Sequence, residues 1–216
     1  MAVLTFPTAH ADFFGLLDHL AGDMWLAEYR EHSETGGGAI LTADYGPRLW
    51  RGSVQLKPQR LPDWAETQAL IGAFLQGQRT FHASDPFAMA PASDPAGSAV
   101  AASVVLLDTV NADKRRLALK GLPANYVLTR GDRLSVTDSG GGVHLHEMVE
   151  TVTANGAGTT TEFELTPFTQ TTLASNDAVT LVRPSCLALI VPGSFRRGRL
   201  AGGFRVGAGF DWIESL

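Results

Sequence analysis

One cysteine, Cys186, is all the thiol chemistry in 216 residues, and a lone cysteine excludes an internal disulfide. It precedes the apolar run 187–191, so its expected role is that of a buried structural thiol and not of a nucleophile. Long hydrophobic runs are missing as well. None approaches the ~20 residues that a membrane-crossing helix needs, so no stable membrane insertion is expected. The N-terminal stretch has no basic segment ahead of its apolar part, and Asp12, Asp18 and His19 interrupt it, so it does not read as a signal peptide. Synthesis and assembly in a cytoplasm are therefore expected. Positive charge is scarce too: 17 Lys plus Arg stand against 22 Asp plus Glu, a net charge of −5. That gives no global attraction for nucleic acid or an anionic membrane, and no sequence-specific nucleic-acid partner is expected.

Signatures of catalysis are also absent. The glycines of GGGVH (140–144) and AGGFRVGAG (201–209) neither open a helix after a strand nor belong to a GK[ST] or a well-placed GxGxxG pattern, and there is no GxSxG elbow. They read as hairpin turns and as points where backbones approach closely.

What is present is material for a folded core. Hydrophobic residues make up 44% of the chain and charged residues 18%, which excludes wholesale disorder. The stretch 48–86 reads as a strand, a proline turn, a helix and a second extended segment. Trp50, Val54 and Leu56 alternate with Arg51, Ser53, Gln55 and Lys57, the period of a sheet with one buried face. A helix is predicted over 63–76, with Asp63 as N-cap, Glu66 completing a capping box and Gly77 as a left-handed C-cap. Trp64, Ile71, Phe74 and Leu75 fall on its buried side. Before this unit, Phe13, Leu16, Leu17 and Leu20 have helical spacing that Gly15 and Gly22 weaken, and a glycine turn at 34–38 leads into a short strand at 39–42.

Composition changes at 87–98, where proline, alanine, serine and glycine without periodicity read as a linker or long surface loop. Beyond it, strands are expected at 99–107, 116–120, 133–137, 143–152, 160–165 and 178–182, separated by Gly, Asn, Asp and Pro turns. Short strands so punctuated argue for a small barrel or sandwich. The last stretch has apolar residues at 187–191, then Leu200, Phe204 and Val206, then Phe210 and Trp212. These would complete the sheet begun in the first third, making residues 99–185 an inserted all-β domain within a domain formed by 1–86 and 186–216.

Three groups of side chains invite a chemical reading. His144 and His146 share a strand face, with Glu150 further along, and could begin a zinc site. The other histidines (His10, His19, His32, His82) stand in unrelated contexts, so the preferred reading is an outer strand face without metal. Basic clusters at 114–116 and 196–199 read as solvated loops, the second alternatively as facing an acidic neighbouring subunit or the lumen of a ring. Glu162 and Glu164 read as solvated strand surface, with nothing to suggest paired-carboxylate hydrolysis.

Three segments carry a resemblance: the strand-turn-helix unit ending in QGQRTFHASDP, the stretch RRLALKGLPANYVLTRGDRLSV, and LHEMVETVTANGAGTTTEFELTP. With the ending GFRVGAGFDWIESL, their order and spacing resemble the distal tail protein family of siphophages, the tail proteins of about 200 residues in alphaproteobacterial phages and prophages. The resemblance runs from Arg48 to the C-terminus. It implies a β-sandwich ring domain with one packed helix and an inserted small β domain. It further implies a non-enzymatic structural part of the virion, a hexameric ring at the distal end of the tail that joins the tail tube protein to the hub and receptor-binding apparatus, near the tape-measure protein. No catalytic residue, cofactor or metal is implied.

Ring-forming surface is expected at 49–56 and 200–212, with Arg48, Arg51, Lys57, Arg199 and Arg205 lining a wet channel or pairing across subunits. The alternative function is a carbohydrate-binding module of the adsorption apparatus formed by 99–185, where the aromatics are Tyr126, Phe163 and Phe168 and at least two are expected in the core. A metal-dependent hydrolase using His144 and His146 is the weakest of the three for want of further ligands.

Overall fold

The computed structural model describes residues 4–216, and residues 1–3 of the expected first domain lie outside them. In chain order the first elements are β1 (His19–Leu26), β2 (Arg30–Glu34), β3 (Ile40–Asp44), β4 (Trp50–Leu56), β5 (Gln59–Arg60), α1 (Leu61–Phe74) and β6 (Phe81–Ser84). The middle of the chain adds β7 (Leu106–Val110), β8 (Arg116–Lys120), β9 (Val127–Leu128), β10 (Arg133–Thr137) and β11 (Val143–Met148), then β12 (Val152–Thr153), β13 (Phe163–Thr166) and β14 (Ala178–Thr180). Last come β15 (Ser185–Ile190), β16 (Arg199–Ala201), β17 (Phe204–Val206) and β18 (Gly209–Glu214). The protein is mainly β, with one α-helix among the described residues.

Two bodies organise these strands. A five-stranded antiparallel sheet of order β1-β4-β18-β15-β6 joins strands from both ends of the chain, and a closed six-stranded barrel of order β10-β11-β13-β8-β7-β14 is built from the residues between. The chain leaves the sheet at Ser84 and returns at Ser185, and these two residues are paired partners on β6 and β15. The remaining strands form the hairpin β2–β3, the three-stranded sheet β16-β17-β5 and the pair β9–β12.

The sheet buries one face. Trp50, Val54 and Leu56 of β4 and Phe210 and Trp212 of β18 all point into one apolar cluster with Phe13, Phe14 and the helix. Gly52 pairs with Trp212, and a Cβ on Gly52 would lie about 2.5 Å from the indole. Only a residue without a side chain lets that ring lie flat across the neighbouring strand. Phe13 stacks on Phe74 at 3.8 Å and meets Phe81 edge-on at 4.8 Å.

The helix of the sequence pattern exists, but its ends differ. It runs two residues earlier at both ends than 63–76, with Arg60 as N-cap and no side-chain cap bond, so Asp63 and Glu66 do not form a capping box. Pro62 sets this start: its fixed φ and missing N–H suit the first helical turn, leaving Asp63 inside that turn. Trp64, Ile71 and Phe74 are buried, whereas Leu75 lies past the helix end and is 45% exposed. Gly77 is left-handed at φ +66°, in the turn that follows.

The spacing of Phe13, Leu16, Leu17 and Leu20 does not yield an α-helix. Two 3-10 turns, His10–Asp12 and Phe14–Leu16, bury the adjacent Phe13 and Phe14 and leave Leu16 and Leu20 exposed. Of the two readings of 87–98, linker or long surface loop, the structure has the loop, largely exposed but pinned by buried carboxylates. Asp94 is buried, and its carboxylate accepts bonds from the N–H groups of Ser98 (3.1 Å) and Ala99 (2.8 Å), while Asp132 accepts from Ala92 N–H (2.8 Å). That turn consumes the residues expected to open a strand at 99, so β7 begins at Leu106. The expected strand 143–152 breaks into β11 and β12, the latter pairing with β9, which the alternation had not suggested.

Emptying the Phe74 site should cost about 3–5 kcal/mol, the usual range for an aromatic core position. Asp63→Ala should change stability by less than about 1 kcal/mol, because only a helix-dipole contact is lost. Denaturant melts of the two variants check both; Phe74→Ala melting like the parent would contradict the packing described.

Candidate subunit interface

The barrel is tied to the sheet at Trp50. Its indole N–H donates to Leu145 O on β11 (2.8 Å), and its backbone N–H donates to the Glu214 carboxylate (2.9 Å). Arg133 of β10 lies over the Trp50 ring at 5.3 Å, donates to Asp85 at 2.6 Å and to Glu147 at 3.4 Å. Burial pushes the Glu214 carboxyl up to about 7, opposed by the bond from Trp50 N–H.

The histidines of β11 are not on an outer face. His144 and His146 pair with Val136 and Leu134, and they share the side of Met148, which faces the barrel interior. His146 is 1% exposed; its Nδ1–H donates to Pro167 O (2.9 Å), leaving Nε2 buried and unpartnered. Burial holds its pKa down at about 4, and neighbouring His144 adds to that. His144 Nε2 donates to Asp138 (3.1 Å), a bond that chiefly holds the Asp138 carboxyl at about 2. Glu150 is exposed beyond the strand. Among the described residues no group of three His, Cys, Asp or Glu side chains is placed to hold a metal.

Two Ser–His contacts form, Ser84 Oγ with His10 Nε2 at 2.8 Å and Ser185 Oγ with His82 Nδ1 at 3.3 Å. Ser84 is 2% exposed, burial lowers the pKa of both His10 and His82, and among the described residues no carboxylate is hydrogen-bonded to either imidazole to orient it as a base. Cys186 is fully buried, and burial pushes its thiol up.

The five candidate interface cations do not form one surface. Arg48 and Arg51 stand at the start of β4, beside the base of the β2–β3 hairpin. Arg48 reaches Thr166 Oγ1 (3.3 Å) and Glu28 (3.8 Å), and Arg51 donates to Tyr29 OH (2.8 Å). Lys57, Arg199 and Arg205 belong to the other end of β4. Lys57 and Arg199 are exposed; Arg205 lies over the Trp64 ring at 5.7 Å. Half of 49–56 is not surface at all, since Trp50, Gly52, Val54 and Leu56 are buried and only the opposite face shows Arg51, Ser53 and Gln55.

Several surface groups escaped the sequence reading. The hairpin β2–β3 is exposed at every position, with Ile40 at 64% and Leu41 at 60%. Trp25, opposite Arg51, is 43% exposed on the outer sheet face, which Leu187, Leu189 and Ile213 share in part. Pairing of β1 is regular from Ala21 to Leu26, but the small residues Ala21 and Gly22 leave it without the large-apolar alternation that would have revealed Trp25. The glycine turn 34–38 and the strand after it were expected, but the partner strand β2, REHSE, is polar throughout and has no apolar alternation to reveal it. Of the three barrel aromatics, Tyr126 and Phe163 are buried and Phe168 is 55% exposed.

No family model matches the chain, and a comparison with curated proteins finds no match.

Glu214 generates a pH dependence with a definite sign. Its folded pKa, about 7 against an ordinary 4.5, makes the folded protein the better proton binder in between. Stability from this group is therefore present below pH 4.5 and lost as pH rises through 7, by about 3 kcal/mol in all. His146 works oppositely, losing stability as pH falls from 6.5 toward 4. Glu214→Gln isolates the first effect: the melting temperature of the variant minus that of the parent should rise from pH 4.5 to 7 and level off above. A constant difference would contradict the assignment.

Proposed function

We propose that this chain is a non-enzymatic structural component of a phage tail tip, a ring-forming subunit between the tail tube and the hub. The observation that carries the reading is where the unsatisfied surface lies. Two hairpins project from the sheet with large apolar residues exposed, and β1 presents an open sheet edge. Such features call for partners, because an open edge is an aggregation hazard and a two-stranded hairpin such as β2–β3 is marginal in water alone. Closed rotational contacts between copies remove both problems. The resemblance to distal tail proteins supplies the kind of assembly and its neighbours: tail tube, hub and tape-measure proteins.

A specific groove favours a second reading, carbohydrate binding. A cavity of about 340 Å³ between the base of the β2–β3 hairpin and the barrel is lined by Arg30, Asp44, Arg48, Phe168 and Gln170. An exposed aromatic beside planar hydrogen-bonding groups is suitable chemistry for a sugar ring. If that reading holds, Phe168→Ala abolishes glycan binding and leaves assembly intact.

The ring reading predicts closed oligomers with sixfold symmetry, seen by native mass measurement of purified protein and by electron microscopy of tails. A single copy inside an assembled tail tip would sink it.

A further inference from the structure

The two projecting hairpins carry opposite charge. Residues 28–45, which contain β2 and β3, hold four carboxylates (Glu28, Glu31, Glu34, Asp44) against one arginine, Arg30. Residues 196–205, which contain β16 and the start of β17, hold four arginines and no carboxylate, and the paired strand β5 adds Arg60. Internal ion pairs remove part of each set: Arg30 with Asp44 (2.8 Å), Glu28 with Arg48 (3.8 Å) and Arg196 with Asp211 (3.3 Å). Among the described residues this leaves Glu31 and Glu34 without an ion-pair partner on one hairpin, and Arg60, Arg197, Arg199 and Arg205 without one on the other.

Topology keeps the two apart within one chain. The acidic hairpin connects β1 to β4 at the Leu26–Trp50 end of that strand pair. The basic hairpin connects β15 to β18 at the opposite end, where Leu56 N–H donates to Ala208 O. The length of β4, about 20 Å at ~3.4 Å per residue, separates them. Both also expose apolar residues, Ile40 and Leu41 on the first and Leu200 and Phe204 on the second.

We propose that the acidic β2–β3 hairpin of one copy docks on the basic β16-β17-β5 sheet of the next copy. Unlike charges set partner and orientation, and the exposed apolar residues are buried in the contact. Because the two surfaces differ, the contact is head-to-tail and closes into a ring when its rotation closes. The inference rests on the ring reading and names its interface.

Charge exchange tests it in the full chain, with circular dichroism to check folding. Glu31→Arg with Glu34→Arg, or Arg197→Glu with Arg199→Glu, should each weaken self-association at least tenfold at 0.15 M salt. Both exchanges in one chain should restore rings. An equimolar mixture of the two variants should do so as well, alternating round the ring and therefore with an even number of copies. Rings of each variant that match the parent in stability overturn the docking while leaving the ring reading intact. A parent that is monomeric at every concentration overturns the ring reading and the docking with it. Where a variant fails to fold, the pair Glu34→Cys with Arg199→Cys decides on the docking itself. Cys186 is buried, so an oxidised ladder of linked chains supports the contact, and its absence overturns it.

Discussion

Trp50 is the point on which both bodies of this protein depend. One residue anchors the first residue of β4 to the last strand of the chain through Glu214, fills the core beneath the sheet, and holds the barrel through Leu145 O. Arg133 covers the same ring from the barrel side and is neutralised by Asp85 and Glu147. Its low exposure makes those charge-assisted bonds strong, and loss of either carboxylate would leave a poorly solvated cation. The barrel is thereby joined to the sheet by directional bonds as well as by its two chain connections.

Much of the sheet was legible because its strands are one-sided. Trp50, Val54 and Leu56 announce a buried face, and so do Phe210 and Trp212, since a half-buried strand imposes period two on the sequence. The barrel was legible as a series of short strands with glycine and asparagine turns. Illegible parts share a cause: tertiary partners override local pattern. Asp94 ties down a stretch whose composition reads as a tether, and Pro62 moves the helix start ahead of a good capping residue. His144 and His146 alternate like surface residues yet face inward, because barrel closure gives even a polar strand an interior side.

The candidate site was legible only in part. Arg199 and Arg205 fall on a projecting hairpin, but Arg48 and Arg51 belong to the other end of the sheet, a separation that sequence order conceals. Three-dimensional pairing sorts the charges into an acidic and a basic hairpin, although the chain as a whole looks unremarkably acidic. Trp25 stays hidden in sequence because the small residues Ala21 and Gly22 deprive its strand of the alternation that would display it.

The two connections to the barrel have a mechanical consequence. They leave the sheet at Ser84 and Ser185, directly opposed residues on neighbouring antiparallel strands. Tension on the barrel would therefore load the β6–β15 hydrogen bonds one after another from that end, the zipper geometry, and not all together in shear. Such an arrangement yields at low force, so the clasp of Trp50 and Arg133 bears the load first. While it holds, sheet and barrel respond to a pull as one stiff body; once it parts, the strands peel.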